Sequence, residues 1–390
     1  MKFSILLPTR NRLEYLKLAV ESVRRQGFRD WELVISDNCS EEDIAGYLGA
    51  LDDPRIRYSR TDHPVPVTEN WNRALTRSSG DYIIMLGDDD ALTDGYLSRM
   101  DELIGLFSSP DVIYTKSLLF TYPGVDPAHP AGYLIDHGCA EFFTGASRPF
   151  ELDRARALDV VRAAMRFQLR YDFNAQFALI SRRVIESLEA YGSFYQSAFP
   201  DYYSMNAAFL RARSIVVDPV PGIVIGRTPK SYGYFQLNDK ETEGRSFLDG
   251  AAARAAAGTN INVGWLSAAA ALEQGVARDF GLRAARHRYR FAQATHVYKR
   301  YRFGEVDRDE VRSLERELPR LERWLYRAAD RALALVHRVV PRRLKDAIAG
   351  AAVRVTTGGA SQMPSWTPTT IVEGRYRDVL EVCDAQAPGA

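Results

Sequence analysis

The chain is short of sulfur, of net charge and of long apolar runs. Only Cys39, Cys139 and Cys383 occur among its 390 residues. They are widely spaced and odd in number, which argues against a disulfide framework and against paired metal-ligand spacing, and suits a reducing compartment. Fifty-one Lys and Arg stand against 50 Asp and Glu, a formal charge of +1, so the field of the whole chain selects no class of partner. No stretch approaches the roughly 20 apolar residues of a membrane-spanning helix. The apolar run at residues 3–8 is too short for the core of a secretory signal and reads better as a strand. There is no internal repeat and no recognised nucleic-acid module, so nucleic acid is not expected as a partner. The expectation is a cytoplasmic protein of about two domains, large enough for at least one sizeable core.

What the chain does have is an abrupt acidic stop. Tyr82, Ile83, Ile84, Met85 and Leu86 have the length and character of a buried strand, and Gly87 leads into Asp88, Asp89 and Asp90. Three adjacent carboxylates repel one another, so they need open water or a cation. Ligands of open α/β sheets sit beyond the carboxyl ends of strands. A hard divalent ion with a diphosphate fits such a place. The plain alternative is an acidic loop before the next helix.

Strands and helices alternate around this run. Strands are predicted at 3–7, 31–36, 55–59, 81–86 and 111–116. Helices are predicted at 13–25, from a Ser40 cap to about 50, at 68–76, and from a Thr93 cap to about 107. That order implies an α/β fold with a doubly wound, mainly parallel sheet. In such a sheet the loops at Thr9, Asp37 and Asp88 share one rim, which brings Arg12, Asp37 and the aspartates together. Residues 120–150 read as a long loop, 151–170 as a helix and 173–180 as a strand. A helix runs from Ser181 to about 190. Another opens at residues 199–204, with Pro200 suited to its first turn. Short strands at 214–217 and 223–226 precede a mobile loop from Lys230 to about Gly250. From about Ala251 the composition turns to Ala, Arg and Leu in a helical pattern. One face of a late helix carries Leu318, Leu321, Leu325, Ala328, Leu335 and Val339, and the other carries Arg320, Arg323, Arg327, Arg331 and Arg338, with Pro341 interrupting it. The tail from Gly358 is polar and expected to be poorly ordered.

Taken singly, the rim residues admit two readings each. Pro8, Thr9 and Arg12 form a strand-to-helix connection, or an anion cradle at a helix N-terminus. Asp37 is a turn residue, or a carboxylate placed to accept from an N–H donor. Asn70 and Arg73 share a helix face, either solvated or turned to a diphosphate. Asp201 is an acid at a helix N-terminus, favoured there by the dipole, or a catalytic base. His63, His129 and His137 are loop histidines, with a third metal ligand the lesser reading. Lys230, Tyr232 and Tyr234 lie in a loop able to close over a ligand.

Four motifs in order, namely residues 5–12, 35–40, 70–75 and the aspartate run, resemble a family 2 glycosyltransferase of GT-A fold. The likeness covers about the first 230 residues. It implies a GT-A catalytic domain at 1–230, with a nucleotide-sugar half at 1–117 and an acceptor half at 118–230. A helical C-terminal domain at 231–357 and a tail at 358–390 follow. It also implies a nucleotide-diphosphate sugar donor, most often UDP-linked, a divalent Mn2+ or Mg2+ ion, and inversion at the anomeric carbon. By the resemblance Pro8, Thr9 and Arg12 cradle the nucleotide, Asp37 meets the base, and Asn70 and Arg73 approach the donor. The run departs from the common pattern, since Gly87 stands where an acid is usual. Asp90 is then the expected metal ligand and Asp88 a ribose or metal contact, with Asp89 a further donor contact. Asp201 corresponds to the base, with Pro200 in place of a first acid. The resemblance further implies a glycan or lipid-linked acceptor, in bacterial surface-polysaccharide assembly, with the protein in the cytoplasm or at the inner face of the membrane. Two other readings are a sugar-nucleotide pyrophosphorylase, which would want a Gly-rich basic loop after the first strand, and a non-catalytic sugar-nucleotide or glycan-binding module. The basic C-terminal helices either pack on the sheet or form a homo-oligomer, or touch anionic lipid.

Overall fold

The computed structural model describes residues 2–138, 140–238, 260–302, 304, 306–339 and 370–386. The fold starts from β1 (Phe3–Thr9), α1 (Leu13–Arg24), β2 (Trp31–Asp37), α2 (Ile44–Gly49), β3 (Ile56–Arg60), α3 (Val67–Thr76) and β4 (Tyr82–Met85). β1 pairs in parallel with both β2 and β4, and β2 with β3. All seven residues of β2 are buried, and so are all four of β4. Helices cover both faces, which is why these strands read as unbroken apolar runs rather than alternating ones.

The second half of the sheet is mixed. β5 (Ala91–Leu92), α4 (Tyr96–Leu106), β6 (Val112–Thr121), β7 (Tyr133–His137), β8 (Phe150–Glu151), α5 (Arg154–Ala164), β9 (Ala178–Ser181), α6 (Arg182–Glu186), α7 (Pro200–Arg211) and β10 (Ile215–Arg227) follow. β9 runs antiparallel to both β4 and β6, whereas β10 runs parallel to β6. The main path is β7-β6-β9-β4-β1-β2-β3, extended beyond β7 by a strand at Val372–Glu373. This is the α/β arrangement implied above, mostly parallel at its centre.

Several local expectations shift. The cap of α2 is Asp43, whose carboxylate accepts from the Gly46 N–H at 2.8 Å. Ser40 instead receives the Asn11 N–H. α4 begins after Gly95, at φ +76, and the Thr93 hydroxyl donates to the Gly222 carbonyl. The long loop at 120–150 contains β7, which pairs with the end of β6. The two short strands expected around residue 220 are one strand, β10, broken in register between Asp218 and Ile223. Residues 173–180 enter their strand late, after a single tight turn at Ala175–Phe177. Pro200 does occupy the first turn of α7.

Beyond β10 come α8 (Tyr232–Leu237), α9 (Asn260–Gln274), α10 (Arg286–Arg302), α11 (Arg308–Glu317) and α12 (Arg320–Val339). α9 is seated on α7, with the Trp265 indole N–H donating to the Ala164 carbonyl at 3.0 Å and the ring buried in the main core. The loop expected to reach Gly250 begins as α8, and its remainder lies outside the described residues. So does Pro341. The tail does not follow expectation where it is described. β11 (Val372–Glu373) pairs with β7, and α13 (Val379–Gln386) buries Val379, Val382 and Cys383 against Phe120, Tyr122 and Val224. Its apolar residues are spaced to fill one helix face, and that face covers a side of the sheet otherwise open to water.

Candidate active site

The rim forms as the parallel register requires. Thr9 is paired with Asp37. The Thr9 hydroxyl donates to Asp88 Oδ2 at 2.8 Å, although 79 residues separate them. Arg12 lies just before α1 and donates to Asp88 Oδ1 at 2.8 Å, with Asp89 Oδ2 at 3.4 Å. Asn11 stands at φ +53, and its amide oxygen receives the Glu41 N–H, which ties the loop after β1 to the loop after β2. Arg12 therefore reaches the acids from a connection held at both ends.

The three aspartates are buried, at 5%, 8% and 2% exposure, but they face different ways. Asp90 Oδ1 accepts the Gly226 N–H at 2.9 Å and Oδ2 the Gly87 N–H at 3.1 Å. Both its oxygens are thus turned to backbone. Asp88 is held by Thr9 and Arg12. Asp89 Oδ2 accepts from the Thr228 hydroxyl at 3.3 Å and from the Ser231 hydroxyl. Its Oδ1 has no hydrogen-bond partner among the described residues. Burial and the neighbouring Asp89 push the Asp90 carboxyl well above the usual range, against the two backbone N–H groups. Asp88 is raised by burial and by Asp89, with Arg12 opposing. Burial alone would lower Arg12, yet Asp88 and Asp89 raise it.

A hard cation wants several oxygen ligands. Asp90, the residue expected to supply one first, has both oxygens engaged by N–H groups, while Asp89 keeps one open. Among the described residues no group of three or more His, Cys, Asp or Glu is placed to hold a metal. Asp88 likewise has both oxygens engaged, by Thr9 and Arg12, so Asp89 Oδ1 is the carboxylate oxygen of the run left to meet a divalent ion whose other ligands come from a diphosphate. His129 pairs with Glu373 and His137 with Asp172, and neither approaches the aspartates.

The glycines say why the site has this shape. A Cβ on Gly226 would stand 1.9 Å from the Asp89 carbonyl oxygen, and one on Gly87 would stand 2.5 Å from Asp90 Oδ2. Gly226→Ala is expected to cost about 1–3 kcal/mol, the range for forced overpacking, read as a lower urea midpoint with unchanged slope. An unchanged midpoint would show that β10 can yield there.

Of the other expected residues, Asp37 is fully buried and accepts from the Ser40 N–H and the Tyr58 hydroxyl, at 2.9 and 2.8 Å. Asn70 is turned to β2, exchanging bonds with the Ser36 hydroxyl and carbonyl. It anchors α3 to β2. Arg73 has a buried Nε without a hydrogen-bond partner. Pro8 sits within β1, where its missing N–H leaves no gap in the pairing.

Asp201 lies in the first turn of α7, partly exposed at its own surface. Burial, then the charge of Asp172, push its carboxyl up to about 7, against the Tyr202 N–H. Phe199 and Tyr202 flank it, and Phe199 meets the Tyr232 ring at 5.3 Å. The segment 228–232 thus touches both acids' surroundings. Thr228 and Ser231 hold Asp89, and Tyr232 rests two residues before Asp201. The Lys230 carbonyl also accepts from Arg12, and its ammonium reaches the Asn11 carbonyl at 3.1 Å.

A cleft of about 550 Å³ opens between the start of α3 and the loop holding Gly192, Tyr195 and Gln196. Burial, then the charge of Asp201, raise the Tyr195 hydroxyl. Asn72 pins its loop by bonds to the backbone of Tyr195. The sequence pointed to neither Asn72 nor this loop. Asn72 lay inside a motif noticed for its neighbours, and the loop carries no chemical signature of its own.

Fold and rim define a Rossmann-like α/β protein with a polar site at its strand ends. Residues 4–106 match the family described as glycosyl transferase family 2. The chain is 39% identical over 97 residues to the putative colanic acid biosynthesis glycosyl transferase WcaA of Escherichia coli, covering 24% of this chain and 35% of that protein. It is 35% identical over 102 residues to the GalNAc(5)-diNAcBac-PP-undecaprenol beta-1,3-glucosyltransferase of Campylobacter jejuni, covering 25% of this chain and 33% of that one. The chain thus matches about a third of the length of these relatives. Staphylococcus aureus TarS 1-349, solved with UDP-GlcNAc, superposes with a TM-score of 0.48 at 15% identity, over 79% of this chain and 93% of that one.

Proposed function

We propose that the chain is an inverting glycosyltransferase, moving a sugar from a nucleotide-diphosphate sugar to an acceptor hydroxyl in surface-glycan assembly. The observation that carries this reading is the segment 228–232, which binds Asp89 at one end and packs on Phe199, two residues before Asp201, at the other. On this reading it links a donor-type rim to a base-type carboxylate. The family match at residues 4–106 supports the same class.

Asp201 accepts the proton of the acceptor hydroxyl as the oxygen attacks the anomeric carbon. A pKa near 7 suits that task, because the group is both ionised and basic near neutral pH. The new C–O bond forms as the bond to diphosphate breaks on the opposite face, so the centre inverts without a covalent sugar–enzyme intermediate. Arg73 and Arg12 meet the charge that develops on the leaving diphosphate. Asp89 Oδ1 would hold the divalent ion, joined by Asp88 if Arg12 turns from it to the diphosphate, and the ion when bound supplies further charge stabilisation. The acceptor occupies the cleft at Tyr195 and Gln196. It is a glycan hydroxyl, carried on a lipid diphosphate in the fuller form of the proposal.

Thermal shift with UDP-, GDP-, dTDP- and CDP-sugars, with and without manganese, tests the donor class. A metal-dependent shift with one nucleotide, UDP expected, supports the reading. No shift with any of them counts against it. Asp89→Asn is expected to weaken donor binding roughly tenfold or more and to remove its sensitivity to a chelator. Full chelator sensitivity in that variant would return the metal to Asp90.

A further inference from the structure

The helix α12 (Arg320–Val339) lies on the molecule the wrong way round for a surface helix. Its two acids face inward. Glu322 takes two bonds from Arg290, with Nε at 2.7 Å, and Asp330 pairs with Arg302 at 3.0 Å. Arg327 is likewise spent on Glu315 of α11. Tyr326 adds a ring contact to Phe291. The apolar side faces out. Leu321 is 69% exposed, Trp324 65% and Leu325 46%. Among the described residues eight large apolar side chains are exposed, and three of them fall within these five positions. With the exposed Ala328 they follow the i, i+3, i+4, i+7 spacing of a single helix face. By helical geometry the exposed Arg320 and Arg331 lie together on one border of that face.

A face of this kind is left bare only if something else covers it. Charge decides between a second copy and a lipid surface. Because both acids of the helix are consumed inside, the charge left beside the apolar face is positive. Antiparallel pairing of two such faces would bring Arg320 of one copy towards Arg331 of the other, a like-charge contact. An anionic bilayer carries the opposite charge, and tryptophan favours the interface between headgroups and acyl chains.

We propose that the Leu321, Trp324 and Leu325 face, bordered by Arg320 and Arg331, docks the protein on an anionic lipid bilayer, with α12 lying in the plane of the interface. The contact is independent of the transfer reaction and is read by binding alone. The test is flotation of the full-length protein with vesicles of phosphatidylcholine, alone or in equimolar mixture with phosphatidylglycerol. The protein floats with the mixed vesicles, floats less with the neutral ones, and is released by salt. Leu321→Ser, Trp324→Ser and Leu325→Ser together lower the partition coefficient roughly tenfold or more. Arg320→Glu and Arg331→Glu each lower it by about fivefold or more. All five side chains are on the outside, and unchanged thermal unfolding verifies that the variants fold. The tryptophan emission shifts to the blue with mixed vesicles, and Trp324→Phe removes that shift. Failure of the wild-type chain to float, or equal flotation of the triple variant, overturns the proposal. A lipid-independent dimer that the triple variant converts to monomer assigns the face to a second copy and overturns it as well.

Discussion

Asp201→Asn is expected to lower kcat by about 10²–10⁴-fold, the usual contribution of a positioned general base, with the donor dissociation constant unchanged. The substitution is nearly isosteric and keeps the amide oxygen beside the Tyr202 N–H, but it cannot take a proton. The wild-type rate should follow the ionised fraction of Asp201, so kcat/KM falls about tenfold per unit below the carboxyl value of about 7. The same shift has a cost in stability. A carboxyl raised from 3.8 to about 7 binds its proton more tightly folded than unfolded. Stability is therefore complete below 3.8 and declines as pH rises through about 7. Asp201→Asn lacks that decline. It should be more stable than wild type at mildly alkaline pH and equal to it below the unfolded carboxyl value. Urea unfolding across that range reads the difference. Near-wild-type turnover would remove Asp201 from the mechanism, whereas a stability gap that does not vary with pH would contradict its raised pKa.

Arg12→Met is expected to destabilise the protein by about 3–5 kcal/mol, the loss typical when one partner of a buried ion pair is removed. The guanidinium is 15% exposed and stands 2.8 Å from Asp88 and 3.4 Å from Asp89. It is the cation the structure places against the aspartate run. Without it, Asp88 loses its main compensation and adjoins two further carboxylates. Protonation then becomes the remaining way to relieve them. Asp88 and Asp90 already sit above their usual value in the folded state. Stability that depends on such groups is complete at low pH and is lost as pH rises through the folded value. The penalty of Arg12→Met should therefore shrink as pH falls towards 3.8, the ordinary carboxyl value. Arg12→Lys keeps the charge and loses the fork, so it should fall between the two. A change within about 0.5 kcal/mol at neutral pH, the spread of neutral surface substitutions, would mean that other groups carry the compensation.

The site was partly legible because its elements obey local rules. Parallel strands separated by helices put their carboxyl ends on one rim, which is what brings Thr9 within reach of Asp88. Pro200 placed the start of α7, and with it Asp201. The roles within the aspartate run were not legible. Consecutive residues in a turn point in directions set by the turn, and this turn is shaped by Gly226 from a strand more than 130 residues later. The partner of Asn70 was hidden for a related reason. Its spacing from Arg73 fixes a shared helix edge, but β2 claims its side chain through Ser36. The tail is polar overall, yet its helix carries Val379, Val382 and Cys383 on the side that meets the sheet.

The sequence by itself determined the alternation of strands and helices, the polar ends of the strands and the amphipathic period of the late helices. Each of these depends on residues a few positions apart, where backbone geometry and side-chain spacing are decisive. Only the tertiary structure decided which aspartate keeps a free oxygen, that segment 228–232 joins the rim to Asp201, and which face of α12 is outermost. Period reveals that a helix has two faces. Which one turns inward depends on what waits there, and for α12 that is Arg290 and Arg302, held on another helix and drawn to Glu322 and Asp330.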